Sequence, residues 1–531
     1  MEEYKVLLTT SGLGSRLGEI TNFTNKSLVR IGPKPAISYI IESYPKTVEF
    51  VITLGHFGDH VKEFLELAYP DRKFQFVWVD VFSGKGSSLV YSMLQTKNHL
   101  QCPFIFHACD TILDYQNITP NKNYLVGHKK INSSQYRTLN VSGSKISRIN
   151  EKGELNYDYE FVGVAGINDY VNFWSCLYEV YTDRVNDSIS DCDVYSKMMK
   201  KNSFVLEECH KWQDIGNVSS LNKARKVINN EINVLDKLDE SIYILDNKVI
   251  KFFHNKDIVK KRVDRASILG DSVPKIIDST KNFYKYELVE GELFSRSVTP
   301  KSFSDLLNWT DINLWSKGVD KNVIYPSVNE FRDICEDFYI KKTISRLDSL
   351  IKKQHIVDKE EIINDEYIPP VKYQLSLVKN ILTNVNSPNY FHGDFILENI
   401  IEKSDGSFSL IDWRQDFGGE LKLGDIHYDL AKLNHNLIVN HDIINDNLFN
   451  IEIGDDKIYC DINRRHLLSM CEKTLHQFIL DKNLSLDKVK ILTSIIWLNM
   501  SPLHHHPFDL FLYYFGKYNL WKTIQQQQNF T

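Results

Sequence analysis

Short apolar runs alternate with segments of helical spacing from the N-terminus to about residue 225. Tyr4–Thr9, Phe50–Thr53, Phe74–Val79 and Phe104–His107 are apolar runs of strand length, the pattern of strands buried on both faces. Between them, Ala36–Ser43, His60–Leu67 and Ser87–Leu94 place apolar side chains at helical intervals. The alternation predicts an α/β domain: a Rossmann-like, mixed but mostly parallel sheet with helices on both faces. Ligands collect at the carboxyl ends of strands in such sheets. The glycine-containing segment after Thr9, and Asp110 after the Phe104–His107 strand, both fall at such ends.

The pattern then changes. Leu221–Ser241 is polar, charged and poor in Gly and Pro, which predicts a helical connection. A β-rich stretch follows: Ile242–Leu245, a tight Asp246-Asn247 turn, Val249–Phe253, then Phe283–Leu288. From about Ser304 helical periodicity dominates, broken by residues 389–429. The division expected is a first domain over 1–228 and an α+β bilobal domain over 229–531. The latter has a small β-rich lobe (about 239–295) and a helical lobe (about 296–531). No internal repeat is visible, and Gln525–Gln528 is a short polar tail.

Composition narrows the classes. At 531 residues the chain is too long for one ordinary core. With 42% hydrophobic and 25% charged residues it reads as globular rather than disordered. A net charge of −6 gives no reason to expect a nucleic-acid partner. The eight cysteines are scattered without a C-x-x-C pair, which suits reduced thiols. No apolar stretch approaches the roughly 20 residues needed to span a bilayer, and Met1–Lys5 leads straight into a strand without room for a signal peptide. A cytoplasmic enzyme without membrane insertion is the expectation.

Two phosphate-handling signatures carry the chemistry. The first is Ser11-Gly12-Leu13-Gly14-Ser15-Arg16-Leu17 after the opening strand, with Asn25-Lys26-Ser27-Leu28 soon after. Glycines after a buried strand let backbone N–H groups approach phosphate oxygens, and Arg16 and Lys26 add positive charge. The segment is neither a Walker A loop nor a dinucleotide fingerprint, since the Gly-Lys-Ser/Thr end and the third glycine are absent. Cys109-Asp110-Thr111 and Trp212-Gln213-Asp214-Ile215-Gly216-Asn217 each supply a carboxylate that could converge on one Mg²⁺.

These pieces, in this order, resemble the sugar-1-phosphate nucleotidyltransferase superfamily, which includes the phosphocholine cytidylyltransferases. The resemblance implies that Gly12 and Gly14 approach the nucleotide, that Arg16 and Lys26 hold phosphates, and that Asp110 and Asp214 hold the metal. Gly84-Lys85-Gly86-Ser87-Ser88 looks like the segment lining the nucleobase and acceptor pocket, giving Gly84, Gly86 and Ser87 as nucleotide-binding positions. Glu151-Lys152-Gly153 looks like the family's Glu-Lys-Pro, with Lys152 on the acceptor phosphate. The chain departs from the family at Gly18-Glu19-Ile20, which lacks the usual proline, and at Gly153.

The second signature is Phe391-His392-Gly393-Asp394, with Asn399 five residues past Asp394, followed by Leu410-Ile411-Asp412-Trp413. Asp394 in a loop can accept the proton of an attacking hydroxyl while Asn399 coordinates Mg²⁺. The Ser404-Asp405-Gly406 turn between Asn399–Glu402 and Phe408–Asp412 predicts a hairpin that returns Asp412 to the loop as a second metal ligand. This stretch resembles the aminoglycoside phosphotransferase and choline kinase family, whose kinase-like fold orders a β-rich lobe before a helical one. The resemblance implies Asp394 as base, Asn399 and Asp412 as metal ligands, and a structural aspartate in Asp425-Ile426-His427-Tyr428-Asp429. It likens Lys251 to a lysine on ATP phosphates, with Asp264 the candidate partner, and Tyr286-Glu287-Leu288 to the adenine-holding hinge.

Other features read as structure. His504-His505-His506 between Pro502 and Pro507 reads as a turn, Cys109 as a small buried residue, Phe508–Tyr518 as a packed helix, and Lys260-Lys261-Arg262 as a solvated helix face, with a role near ATP as the alternative. Together the signatures imply a bifunctional Mg²⁺ enzyme. One half phosphorylates a small alcohol or sugar with ATP; the other transfers a nucleotidyl group from CTP, UTP or GTP to the product, releasing pyrophosphate. Such a product would serve glycan or capsule-type assembly. The alternatives are an amino-alcohol kinase with a cytidylyltransferase, or a single activity with one non-catalytic domain.

Overall fold

A computed structural model describes residues 4–114, 119–129, 134–183, 189–228, 237–317, 325–385 and 388–528. The chain forms two compact units, 1–259 with 277–288, and 260–276 with 289–531. Residues 229–236 of the expected helical connection lie outside the described residues. Before them Val218–Val227 is a helix, and Glu240–Leu245 is already a strand.

In the first unit a nine-stranded sheet starts from Phe74–Trp78, Glu49–Leu54, Lys5–Thr9 and Phe104–Ala108 in that spatial order. These four pair in parallel. Beyond them the expectation of a mostly parallel sheet needs correcting. Tyr159–Ile167 lies antiparallel to both Phe104–Ala108 and Tyr124–Lys129, and of the remaining neighbours only Tyr124–Lys129 and Val205–Cys209 run parallel. An apolar run reads alike in either direction, so strand polarity was not legible.

Residues of Lys5–Thr9 alternate between two cores, the consequence of a two-residue side-chain period. Val6 and Leu8 pack with Ile37, Ile40 and Ile41 of helix Ala36–Ser43 and with Val61, Phe64 and Leu65 of helix Gly58–Ala68. Leu7 faces the other core, with Val90, Met93, Phe173, Leu177 and Met198. The sheet is thus covered on both faces, as expected. The helix expected from Ser87 starts at Leu89, because the Ser88 hydroxyl caps it by accepting from the Tyr91 N–H at 3.0 Å.

The β-rich stretch forms a second sheet from Glu240–Leu245, Lys248–Phe253, Phe283–Glu287 and Ile276–Ser279. Tyr243, Leu245, Ile250, Phe252 and Phe283 share the core of helices Ala36–Ser43 and Gly58–Ala68. Polar contacts tie the same surfaces. Tyr243 donates to the Leu28 carbonyl at 2.7 Å, Lys285 to the Leu67 carbonyl at 2.8 Å, and Thr280 Oγ1 to Glu63 at 2.8 Å.

The second unit is mainly helical. Leu486–Met500 packs against Phe508–Gln528 and Ile426–Ile438. The expected hairpin is present, with Ile400–Glu402 paired to Phe408–Leu410, but the second strand stops at Leu410 rather than Asp412. Asp412 itself has φ +60°, a left-handed conformation that Asp tolerates better than most residues. Among the described residues, no helix is long and apolar enough to cross a membrane.

Candidate active sites

In the first unit, strand Lys211–Asp214 pairs antiparallel with Thr111–Asp114, setting Asp214 opposite Thr111. The Ile215 N–H donates to the Asp110 carbonyl at 3.0 Å. Asp110 and Asp214, far apart in sequence, therefore emerge side by side. Gly216 makes their approach possible. A Cβ there would stand 3.1 Å from Asp110 Oδ2, 3.1 Å from Asp214 Oδ1 and 3.3 Å from Arg16 Nη2.

Each carboxylate is held. Asp214 Oδ1 accepts from the Gly216 N–H at 3.0 Å, and its Oδ2 from the Tyr136 hydroxyl at 3.0 Å. Asp110 Oδ2 accepts from Lys26 Nζ at 3.2 Å and lies 3.8 Å from Arg16 Nη2. Burial pushes the Asp110 carboxyl up, but the Lys26 and Arg16 charges outweigh it and hold the group below its usual range. Burial likewise disfavours the Lys26 charge, and Asp110 overrides it, raising the ammonium above its ordinary value. Gly14, with φ +69°, closes the loop tightly: a Cβ there would meet Lys26 Cβ at 3.0 Å.

One cavity of about 590 Å³ is lined by Gly12, Arg16, Lys26 and Ser87, and by Asp110, Lys152 and Asp214. Gly14, Gly84 and Gly86 lie in the same segments without lining it, all three with positive φ. Ser87 turns its hydroxyl to the Gly84 carbonyl at 2.7 Å. The sequence reading did not identify Tyr136, Arg137 or Asp191, which also line the cavity. Arg137 pairs with Glu151 beside Lys152. Burial raises the Asp191 carboxyl to about 6. These residues carry no motif of their own. Cys109 is buried, and burial pushes its thiol up to about 11, as suits a packing residue.

In the second unit, the loop at Asp394 is built from the main chain outward. Asp429 accepts from the backbone N–H groups of His392 and Gly393, each at 2.7 Å, and from the Trp315 indole at 3.0 Å. Burial still pushes its carboxyl up to about 6. His392 Nε2 lies 3.1 Å from the Ile411 carbonyl, and its Nδ1 accepts from the Asp394 N–H at 3.3 Å. Burial lowers this imidazole to about 4, so it is neutral and donates through Nε2. Asn399 Nδ2 donates to the Asp394 carbonyl at 2.9 Å and to its Oδ2 at 3.2 Å. The Ile411 N–H donates to the Asn399 carbonyl at 2.8 Å, so the hairpin returns Asp412 to the foot of the loop.

Cations missed in the sequence complete this site. Lys432 Nζ sits 2.8 Å from Asp394 Oδ1. Burial would raise the Asp394 carboxyl, but Lys432 outweighs it and keeps the group below its usual range. Lys432 lies three residues after Asp429 on one helix, a spacing that shares a face. Lys261 and Arg262 were read as a solvated helix face; that reading is corrected. Lys261 Nζ lies 2.7 Å from Asp416 Oδ2, and Arg262 pairs with Asp412. Asp264, on the same helix, is exposed. Lys251, buried in Lys248–Phe253, and Glu287, ending Phe283–Glu287, belong to the first unit.

Among the described residues no three His, Cys, Asp or Glu side chains are grouped to hold a metal. The ligands expected from the sequence are two at each centre, Asp110 with Asp214 and Asn399 with Asp412. That donor set fits Mg²⁺, which binds through one or two carboxylates and keeps water or phosphate oxygens in its other positions. At the first centre, the space left by Gly216 between two restrained carboxylates is the specific feature that fits.

No family model matches the chain. A choline-phosphate cytidylyltransferase of Streptococcus pneumoniae is 22% identical over 241 residues, covering 43% of this chain and 99% of that protein. Among solved structures, the CTP:phosphocholine cytidylyltransferase from Streptococcus pneumoniae is 19% identical, covering 43% of this chain and 100% of that one, with a TM-score of 0.37. The inositol-1-phosphate CTP transferase from T. maritima is 14% identical, covering 44% of this chain and 99% of that one, with a TM-score of 0.35. The N-terminal part of the chain is thus similar in sequence to a choline-phosphate cytidylyltransferase over nearly the whole length of that protein.

Proposed function

We propose that the chain is a two-step enzyme in which the first unit transfers a nucleotidyl group and the second phosphorylates the acceptor. The observation that carries the reading is the convergence of Asp110, Asp214 and Arg16 around Gly216, with Lys26 on Asp110. In nucleotidyl transfer, an oxygen of the acceptor phosphate attacks the α-phosphorus of the triphosphate. The bond from the α-phosphorus to the bridging oxygen breaks, and pyrophosphate leaves. Arg16 and Lys26 offset the charge that builds on the phosphate oxygens, and Lys152 orients the incoming phosphate. Bound Mg²⁺ would neutralise the triphosphate and draw it in line, with Asp110 and Asp214 as its protein ligands.

In the second unit, Asp394 would take the proton of a small alcohol or sugar hydroxyl as that oxygen attacks the γ-phosphorus of ATP and ADP leaves. Asn399 orients Asp394 and, with Asp412, would hold Mg²⁺. The phosphorylated product is of the class the first unit consumes, which supports pairing the two activities in one chain.

For the acceptor, a sugar or polyol phosphate fits the Glu151-Lys152 and Gly84–Ser88 segments. A second reading has its own support. The curated relative is a choline-phosphate cytidylyltransferase, and the cavity gathers Phe82, Tyr136, Phe161 and Trp212 near Asp191, the side-chain types that recognise a quaternary ammonium. Purified chain incubated with ATP, Mg²⁺, CTP or UTP and a panel of sugars, polyols and amino alcohols should release pyrophosphate and yield a nucleoside-diphosphate conjugate. Supplying phosphocholine or sugar phosphates directly separates the acceptors. Absence of pyrophosphate and conjugate across the panel would refute the reading.

A further inference from the structure

Helix Lys256–Leu269, which belongs to the second unit from Lys260 onward, presents a row of cations to the loops around Asp394 and Asp412. Lys261, Arg262 and Arg265 are spaced to share one face. Lys261 pairs with Asp416, and Arg262 with Asp412. Arg265 is fully buried, with its guanidinium 4.0 Å over the Phe391 ring, and donates to the carbonyls of Phe391 and Arg414. The Arg262 side chain is 11% exposed and that of Asp412 35%. The contact is fastened a second time: the Trp413 indole donates to the Arg262 carbonyl at 2.8 Å. Backbone and side chain of Arg262 thus both engage the Asp412–Trp413 dipeptide.

A carboxylate occupied by a guanidinium cannot take a divalent cation until the guanidinium leaves. We infer that Arg262 is the resident counter-ion of Asp412 and yields it to a divalent metal that arrives with nucleotide phosphates, whose oxygens then accept the displaced guanidinium. The inference rests on reading Asp394, Asn399 and Asp412 as a phosphotransferase centre. It follows from two elementary facts. A metal arriving alone must break the ion pair without offering Arg262 a new partner. A metal bound to a triphosphate brings anionic phosphate groups, whose paired oxygens the planar fork of an arginine can bind in a bidentate way. Arg262 would therefore act as a gate against empty metal loading and as a phosphate ligand once metal and nucleotide arrive together.

The test uses the full chain carrying Asp110→Asn and Asp214→Asn, which silences the first centre, with Mn²⁺ as probe and free Mn²⁺ followed by electron paramagnetic resonance. In this background Arg262→Gln should bind Mn²⁺ alone roughly two- to fivefold more tightly than its parent, the range expected for losing a partly exposed ion pair. The same change should weaken binding of a non-hydrolysable ATP analogue in the presence of Mn²⁺. Arg262→Lys, which keeps the charge but not the fork, should move both quantities in the same directions and less far. A merely structural arginine would weaken both. The proposal is overturned if Mn²⁺ alone binds no more tightly to either variant while Asp412→Asn abolishes its binding; the phosphotransferase reading then stands. Mn²⁺ binding untouched by Asp412→Asn overturns that reading, and this proposal with it.

Discussion

The two carboxylate sites solve the same electrostatic problem by different means. In the first unit, restraint falls on side-chain oxygens. Tyr136 and the Gly216 N–H fix Asp214, Lys26 fixes Asp110, and a glycine keeps the space between them open. In the second unit, Lys432 and Asn399 hold the Asp394 oxygens as well, but much of the restraint falls on the main chain. Asp429 holds two successive N–H groups, Arg265 holds the carbonyls of Phe391 and Arg414, and His392 spans from Asp394 to Ile411. The contrast implies that the first site is vulnerable to added volume and the second to the loss of a buried charge.

Five substitutions and a pH series test that contrast, beginning with the largest expected effect. Asp394→Asn should lower phosphorylation by about 10²–10⁴-fold, the usual worth of a general base, while a supplied phospho-acceptor is still converted. Asp110→Asn should do the reverse, losing nucleotidyl transfer and sparing phosphorylation. Separate assays of ADP and pyrophosphate release read both, and joint loss from either variant would show that the sites are not independent.

Arg265→Met should destabilise the second unit by about 3 kcal/mol, because it strands buried carbonyls and removes a charge near buried Asp429. Calorimetry should show the transition of the second unit moving while that of the first stays in place. An unmoved second transition would mean that the main-chain restraint resides elsewhere.

Acid should act on both units. His107 accepts from the Tyr44 hydroxyl at 2.9 Å and lies 3.0 Å from the Thr111 carbonyl. Burial lowers it and His392 to about 4, against an ordinary value of 6.5. Between these values the unfolded chain takes up protons that the folded chain refuses. Each histidine should therefore remove up to about 1.4 kcal/mol of stability per pH unit as pH drops from 6.5 towards 4, opposed below about pH 6 by Asp191 in the first unit and Asp429 in the second, whose raised carboxyls take up protons in the folded state. Thermal midpoints measured across that range should shift by less for the first unit in His107→Gln, where His60, also lowered to about 4 by burial, still responds, and should be unchanged from the parent for the second.

The smallest effect is the most local. Gly216→Ala places a methyl between the two carboxylates, so nucleotidyl transfer should fall about tenfold through a few tenths of an ångström of displacement. Phosphorylation and the thermal transition of the second unit should be unchanged. Equal losses in both activities would contradict a local volume effect.

Much of the first site was legible because its residues sit where chain direction and motif agree. Asp110 follows a buried strand, and Gly12, Arg16 and Lys26 follow another. What escaped was contributed by segments without a signature. Tyr136 and Asp191 reach the cavity through tertiary placement alone. Lys261 and Arg262 looked like a solvated charge run because their partners, Asp416 and Asp412, lie some 150 residues later. Lys432 could have been found from its one-turn spacing to Asp429. Sheet polarity beyond the first four strands was hidden for a simpler reason: the side-chain pattern of a strand reads alike in either direction.

The sharing of one core by Tyr243, Ile250, Phe252 and Phe283 with the helices Ala36–Ser43 and Gly58–Ala68 bears on how the protein can be dissected. A fragment ending at Ile228 would bare that apolar surface and leave the Glu63 carboxylate and the Leu28 and Leu67 carbonyls without the donors that now reach them. Such a truncation invites aggregation even though every residue of the nucleotide cavity is retained. A half-molecule that keeps the seal needs residues 277–288 as well as those up to 259, with the intervening 260–276, which belong to the second unit, replaced by a linker.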